Sequence, residues 1–243
     1  GAGRDQHEDA AVVNFTCARV LREAQGQGGA VYSAAVADSQ PLVACGGYDR
    51  RVRIFEVSHG STTKPLLSLA GHESAVTSVS FTPASNLLIS GSKDCKVRFW
   101  DVRSGLCIKV LGSPLIGEVS SVALSSDALS FLVCSRDNAS RLWDMRSPKV
   151  VATYKGHHNT SANFVRARFG PNSESVIGGS EDGFVYLWDT KTGSVLHRLR
   201  GHEGTVYDVA WSERSSQLAS ASHDGTVRLW MWDPGADFDS LLA

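Results

Sequence analysis

The chain has 243 residues, of which 42% are hydrophobic and 20% charged, with a formal net charge of −1. That length can bury a sizeable core, and the balanced charge argues against the basic face that nucleic acid or an anionic membrane surface would demand. No apolar run approaches the ~20 residues of a membrane-spanning helix and no signal peptide opens the chain, which begins on Gly1 rather than Met and so reads as a processed or truncated product.

Residues 1–10 are polar and read as a frayed end; Asp9, Val12, Val13 and Phe15 then have the spacing of a worn last strand, with a further strand near 19–22. Five similar units follow. In the first, from Gly26 to Glu56, alternation predicts strands near 31–36, 42–45 and 52–55. In the second, from Gly71 to Asp101, they fall near 76–81, 87–90 and 97–100. The third predicts strands near 119–124, 131–134 and 140–143, and the fourth, after a longer loop from Gly156, near 164–169, 175–178 and 184–188. The fifth ends in a hairpin whose turn is Asp224-Gly225 and whose last strand reaches Trp230, and Asp233-Pro234-Gly235 stops it. Linking segments 66–69, 107–111, 150–154 and 195–199 each supply the fourth strand of a blade. Cys17, Cys45, Cys95, Cys107 and Cys134 are odd in number and scattered, without a Cys-x-x-Cys pair. They read as free thiols in a reducing compartment, the cytoplasm or the nucleus.

Six residues separate Asp49 from Phe55, Asp94 from Trp100, Asp137 from Trp143, Asp182 from Trp188 and Asp224 from Trp230. The aromatics recur at intervals of 45, 43, 45 and 42 residues, the length of a blade of four short strands. Trp100, Trp143 and Trp188 are each followed by Asp, and Gly71-His72, Gly156-His157 and Gly201-His202 stand upstream in phase. In these marks the chain resembles the WD-repeat (WD40) family over about residues 30–232. The resemblance implies an all-β fold, a β-propeller of four-stranded antiparallel blades, with residues 26–232 forming one domain of five repeats. Sheets that are short and apolar on both faces cannot bury themselves alone, whereas stacking around an axis covers the faces and protects the edges. Seven blades are commonest in the family, so five repeats read as part of a larger ring. The alternative is a five-bladed ring closed by the strand near 19–22 against repeat five. Residues 1–25 are then a partial preceding repeat or that closing strand, and 233–243 a C-terminal tail.

His72, Ser90, Asp94 and Trp100 recur as His202, Ser220, Asp224 and Trp230. Ser, His and Asp together raise the idea of a nucleophilic triad, but a set that recurs per repeat is what packing requires. A buried Asp needs donors, an indole needs an acceptor and an imidazole bridges them. The resemblance implies that these four side chains bond in series inside each blade. The other repeats degrade the set: the fourth keeps His157, Asp182 and Trp188 with Gly178 at the Ser place, the third keeps Asp137 and Trp143 with Val133, and the first keeps Asp49 with Cys45 and Phe55. His157-His158 has no third ligand at a metal-binding spacing. Gly46-Gly47 and Gly178-Gly179-Ser180 lie inside hairpins without the Lys and helix of a phosphate loop. Glu181 and Asp182 are adjacent and point apart in a strand, so they are no acid–base pair. No catalytic residue, metal or cofactor is expected.

The resemblance also implies a ligand site on the narrow top face. It is formed by the residue before each turn Asp and by those three and five beyond the Gly-His His. By position the first set is Tyr48, Lys93, Arg136, Glu181 and His223. The second is Ala30 and Tyr32, Ala75 and Thr77, Glu118 and Ser120, Asn163 and Val165, Thr205 and Tyr207. Tyr32, Tyr48, Thr77, Lys93, Arg136, Glu181, Tyr207 and His223 carry the binding expectation, and an acidic or phosphorylated peptide with an apolar anchor would suit them. The expected function is a non-enzymatic scaffold for other proteins or peptides, as a subunit of a multiprotein complex without nucleic acid or membrane insertion. Trp100-Asp101-Val102-Arg103 and Trp143-Asp144-Met145-Arg146 also resemble a box found in substrate receptors of cullin-based ubiquitin ligases, where the Arg meets an adaptor. That makes Arg103 and Arg146 possible adaptor contacts and a ligase receptor the alternative; a hydrolase using one His/Ser/Asp set is the third reading.

Overall fold

The computed structural model describes residues 21, 29–58, 64–147, 149–160, 164–212 and 214–231. Their strands form antiparallel sheets in which neighbours in sequence are neighbours in space. The first sheet is β1 (Val31–Val36), β2 (Leu42–Gly47), β3 (Val52–Glu56) and β4 (Leu67–Leu69). The second is β5 (Val76–Phe81), β6 (Leu87–Ser92), β7 (Val97–Asp101) and β8 (Cys107–Leu111). The third is β9 (Val119–Leu124), β10 (Ser130–Ser135), β11 (Ala139–Asp144) and β12 (Val150–Tyr154). The fourth is β13 (Ala167–Phe169), β14 (Ser175–Gly178), β15 (Val185–Asp189) and β16 (Val195–Leu199), and the fifth is β17 (Val206–Ser212), β18 (Gln217–Ser222) and β19 (Val227–Met231). These are the blades of a β-propeller, the fifth with three strands among the described residues. The strand expected near 19–22, apart from Leu21, and the tail lie outside the described residues.

Alternation along each strand sends successive side chains into different cores. Trp100 packs with Val52, Ile54 and Leu69 of the first sheet, while its neighbour Phe99 packs with Val119, Phe131 and Trp143 of the third. Each interior sheet therefore serves two cores, which is why its strands are apolar on both faces. Close approach is set by glycine at two joints. A Cβ on Gly46 would stand 2.4 Å from Val76 Cγ1, and one on Gly91 would stand 2.5 Å from Val119 Cγ1. A real side chain at either place would force the blades apart.

Around the axis a second set of ties runs from blade to blade. Ser33 Oγ accepts the N–H of Val79 at 3.1 Å, Ser78 Oγ that of Val122 at 3.1 Å, and Ser121 Oγ that of Ala167 at 3.2 Å. The next position in this series is Arg166, which donates from Nη1 to Asp208 at 3.0 Å and from Nη2 to the Tyr32 carbonyl of the first blade at 3.2 Å. Arg166 also gives its backbone N–H to the Tyr207 carbonyl at 2.9 Å. That inter-blade bond explains why β13 begins at Ala167 rather than near 164 as the pattern predicts.

On the open side of the fifth blade, Val227, Leu229 and Met231 are 70%, 70% and 81% exposed, and beyond β18 no described strand pairs with β19. The ring is not closed among the described residues. No described helix is long and apolar enough to cross a membrane, and Cys45, Cys95, Cys107 and Cys134 are free thiols.

Candidate functional site: the upper mouth of the propeller

The turn between the second and third strands of each blade is held by its Asp, and the partner of that Asp differs from blade to blade. In blade two, His72 Nδ1 lies 2.8 Å from Asp94, His72 Nε2 lies 2.7 Å from Ser90 Oγ, and Trp100 Nε1 donates to the same Oγ at 2.8 Å. The indole is only a donor, so the hydroxyl proton goes to Nε2 and Nδ1–H goes to the carboxylate. Blade five repeats the set at 2.8, 2.7 and 2.9 Å through His202, Asp224, Ser220 and Trp230. Burial opposes the charge on Asp94, but the bonds from His72 and the N–H of Glu73 hold its carboxyl below the usual range. Where the His is missing, the residue four beyond the Asp takes over. Arg53 pairs with Asp49, and Arg141 with Asp137 at 3.0 Å. In blade four Tyr186 donates its hydroxyl to Asp182 at 2.7 Å, and burial with that carboxylate pushes the phenol up to about 12.

Blade four has no hydroxyl at Gly178. The Trp188 ring lies 3.1 Å from where a Cβ would stand, and its Nε1 turns to the Lys155 carbonyl at 2.9 Å. His157 is buried against Trp188 and Tyr186 with neither ring nitrogen hydrogen-bonded, and burial lowers its pKa to about 4. In blade three, which lacks Gly-His, the fully buried Asn159 reaches back from the loop of blade four and bonds Ser120 Oγ and the Ser135 carbonyl, each at 3.3 Å.

A repeated backbone bond fixes the rim. The residue before each turn Asp gives its N–H to the lead-in loop of its own blade: Tyr48 to Ala30, Lys93 to Ala75, Arg136 to Glu118 and His223 to Thr205. Glu181 instead reaches His158, because the loop of blade four is longer. Tyr48 is 66% exposed beside a cleft of 680 Å³ lined also by Asp49, Arg50, Glu73, Ser74, Ala75 and Lys93. Tyr32 stands 5.7 Å from Phe164, and Lys93 Nζ lies 4.8 Å over the same ring, so blades one, two and four meet at one aromatic. Tyr207 and His223 stand edge to face at 6.1 Å. Arg136 is neutralised by Glu118 at 2.7 Å and donates to the Thr160 carbonyl at 3.1 Å, while Glu181 accepts the Thr160 N–H at 3.1 Å.

Thr77 does not join this rim. It is buried and donates its hydroxyl to the carbonyls of Gly91 and Val119, at 3.0 and 2.7 Å. Ser120 and Val165, at the same register, are buried too; small side chains there turn inward, and only the tyrosines at 32 and 207 are long enough to reach the mouth. Asn163 lies outside the described residues. Sequence reasoning missed Phe164, whose signal was an aromatic where other blades carry Val31, Val76, Val119 and Val206. It missed Thr160 and Asn159 as well, which have no periodic signal.

The family model "WD domain, G-beta repeat" matches residues 15–56, 63–101, 105–144, 148–189 and 193–231. The chain belongs to the WD-repeat family. Similar proteins include Protein Atg16l2 of Mus musculus, 35% identical over 147 residues, which are 60% of this chain and 23% of that protein. Periodic tryptophan protein 2 of Arabidopsis thaliana is 35% identical over 166 residues, 68% of this chain and 18% of that protein. The serine-threonine kinase receptor-associated protein of Dictyostelium discoideum is 28% identical over 201 residues, 82% of this chain and 65% of that protein. The chain thus spans less than a quarter of the length of the first two relatives.

The Asp of the WD dipeptide has its own task, which is to nucleate the turn into the outermost strand. Asp101 accepts the N–H and hydroxyl of Ser104 at 2.6 and 2.7 Å, and Asp189 accepts those of Thr192 at 2.6 and 2.8 Å. Arg103 and Arg146 follow at equivalent places on blades two and three, both exposed, with Arg146 Nε 3.5 Å from Asp144.

Proposed function

We infer that this WD-repeat chain is a protein-interaction scaffold that holds an extended peptide across its upper mouth. The observation that carries the reading is the cluster of Tyr32, Phe164 and Lys93, contributed by three blades to one point on the axis. Aromatic surface beside a cation, ringed by the exposed Tyr48 and by Tyr207 and His223, is the composition of an interface anchor. Because Arg136 is already paired with Glu118, the cations offered to an acidic partner group are Lys93, over the aromatic anchor, and the exposed Arg50 beside it in the cleft. Ser90 and Ser220 are buried and each receives an indole N–H, so neither hydroxyl is open to a substrate.

Affinity capture supplies the native peptide, and titration against variants then tests the site. Tyr32→Ala should weaken binding by about 1–3 kcal/mol with an unchanged salt slope, and Lys93→Glu should weaken it while flattening that slope. Normal binding by both variants would remove the upper mouth from consideration. A ligase-receptor role finds support in the exposure of Arg103 and Arg146 at matching places; failure of the wild-type chain to capture a cullin adaptor would end it.

A further inference from the structure

The opposite end of the axis carries a second, differently built feature. Register places Ser80, Ala123, Arg168 and Ala210 at one level of the inner strands, opposite Ile89, Leu132, Ile177 and Ala219. Three of the four are small, and all four line a cavity of 410 Å³. One residue further along each strand, Leu124, Phe169 and Trp211 form an apolar lip to the same cavity. Charge at this end is unbalanced. Arg168 lies 3.6 Å from Asp208 Oδ2, but Arg166 takes the same oxygen at 3.0 Å, and the Val209 N–H occupies Oδ1 at 2.9 Å. One carboxylate thus serves two guanidiniums, the nearer being Arg166. Arg168, with its side chain 44% exposed, is left as a surplus cation in a wall of small residues.

A guanidinium prefers a planar, bidentate acceptor, and a carboxylate is that acceptor. The cation and the apolar lip line the same cavity. That shared lining suits a carboxylate and a large side chain carried by a single Cα. We propose that the lower mouth binds the C-terminal carboxylate of a partner polypeptide whose last residue is large and apolar. The carboxylate pairs with Arg168, and the side chain packs on Leu124, Phe169 and Trp211. Small walls at Ser80, Ala123 and Ala210 leave the room, and the single Arg makes the pocket read charge as well as shape. The cavity lining shares no residue with the aromatic cluster of the upper mouth.

The test uses N-acetyl-phenylalanine and its carboxamide as probes, titrated into the isotope-labelled chain and followed by amide NMR. The acid should shift Arg168, Phe169, Ala210 and the Trp211 indole, and the carboxamide should bind at least about tenfold more weakly. Arg168→Gln should erase that discrimination, and Ala210→Leu should fill the cavity and remove binding of both probes. Equal binding of acid and carboxamide, shifts confined to Tyr32 and Lys93, or no shift with the acid would each overturn the proposal. If Arg168→Gln does not fold, Ala210→Leu decides alone, and undiminished binding of the acid by it overturns the assignment.

Discussion

Asp49, Asp94, Asp137, Asp182 and Asp224 close the same turn in five blades, yet they lean on His, Arg or Tyr according to what each repeat kept. The full sets in blades two and five were legible because four residue types recur at fixed offsets. The substitutes Arg53, Arg141 and Tyr186 were not, since a lone Arg or Tyr in a strand carries no sign of its partner. These differences act in different pH windows. His157, at about 4 in the fold against 6.5 when free, is faced by Asp182, Asp137 and Glu181, which favour its cation, and by His158, which does not. The unfolded chain takes up this proton first, so stability is full above about pH 6.5 and falls toward pH 4 by about 3 kcal/mol. His157→Phe should flatten denaturant-measured stability between pH 7 and pH 5. An unchanged slope would put the titration elsewhere. Asp94, held below the ordinary carboxylate range, gives stability lost only at lower pH. Asp94→Ala should cost about 1–3 kcal/mol at neutral pH by stranding the donors of His72, Glu73 and Lys96, read as a lower urea midpoint.

Strand ends and linking strands followed the alternation closely: β1, β5, β9, β14, β8, β12 and β16 span the residues that the pattern picks out. Period-two patterning dictates faces, and turn residues dictate ends, so elements of this kind are written locally. β13 was misjudged at its start, because the decisive bond of Arg166 goes to another blade and leaves no local trace. Glycine roles were partly hidden for the same reason. Gly46 looked like a hairpin residue, whereas its use, like that of Gly91, is to admit the valine of the next blade. Gly91→Ala should therefore cost about 1–3 kcal/mol by urea denaturation, since Val119 has no slack. Gly112→Ala, whose nearest neighbour would be 3.9 Å away, should change little. Equal effects at the two sites would show that blade spacing is not set by Gly91.

The whole molecule was legible as a propeller because the period of the repeats is the length of one four-stranded sheet, and such sheets must stack to bury both faces. How its blades are fastened around the axis was not, as Ser33, Ser78 and Ser121 look like ordinary strand serines until the blades are assembled. Three of those fastenings are neutral hydroxyl-to-amide bonds, and the one between blades four and five is the ionic contact of Arg166 with Asp208. Salt screens a half-exposed ion pair and barely touches a buried hydroxyl bond. Hydrogen exchange at the Arg166 amide should quicken between low and high ionic strength while Val79 and Val122 hold steady; uniform behaviour of the three would refute the distinction. Viewed as a mechanical object, the array is a stack of plates in which the joint between blades four and five carries an ionic tie beside its backbone bonds, so high salt should loosen that joint more than the others without parting it.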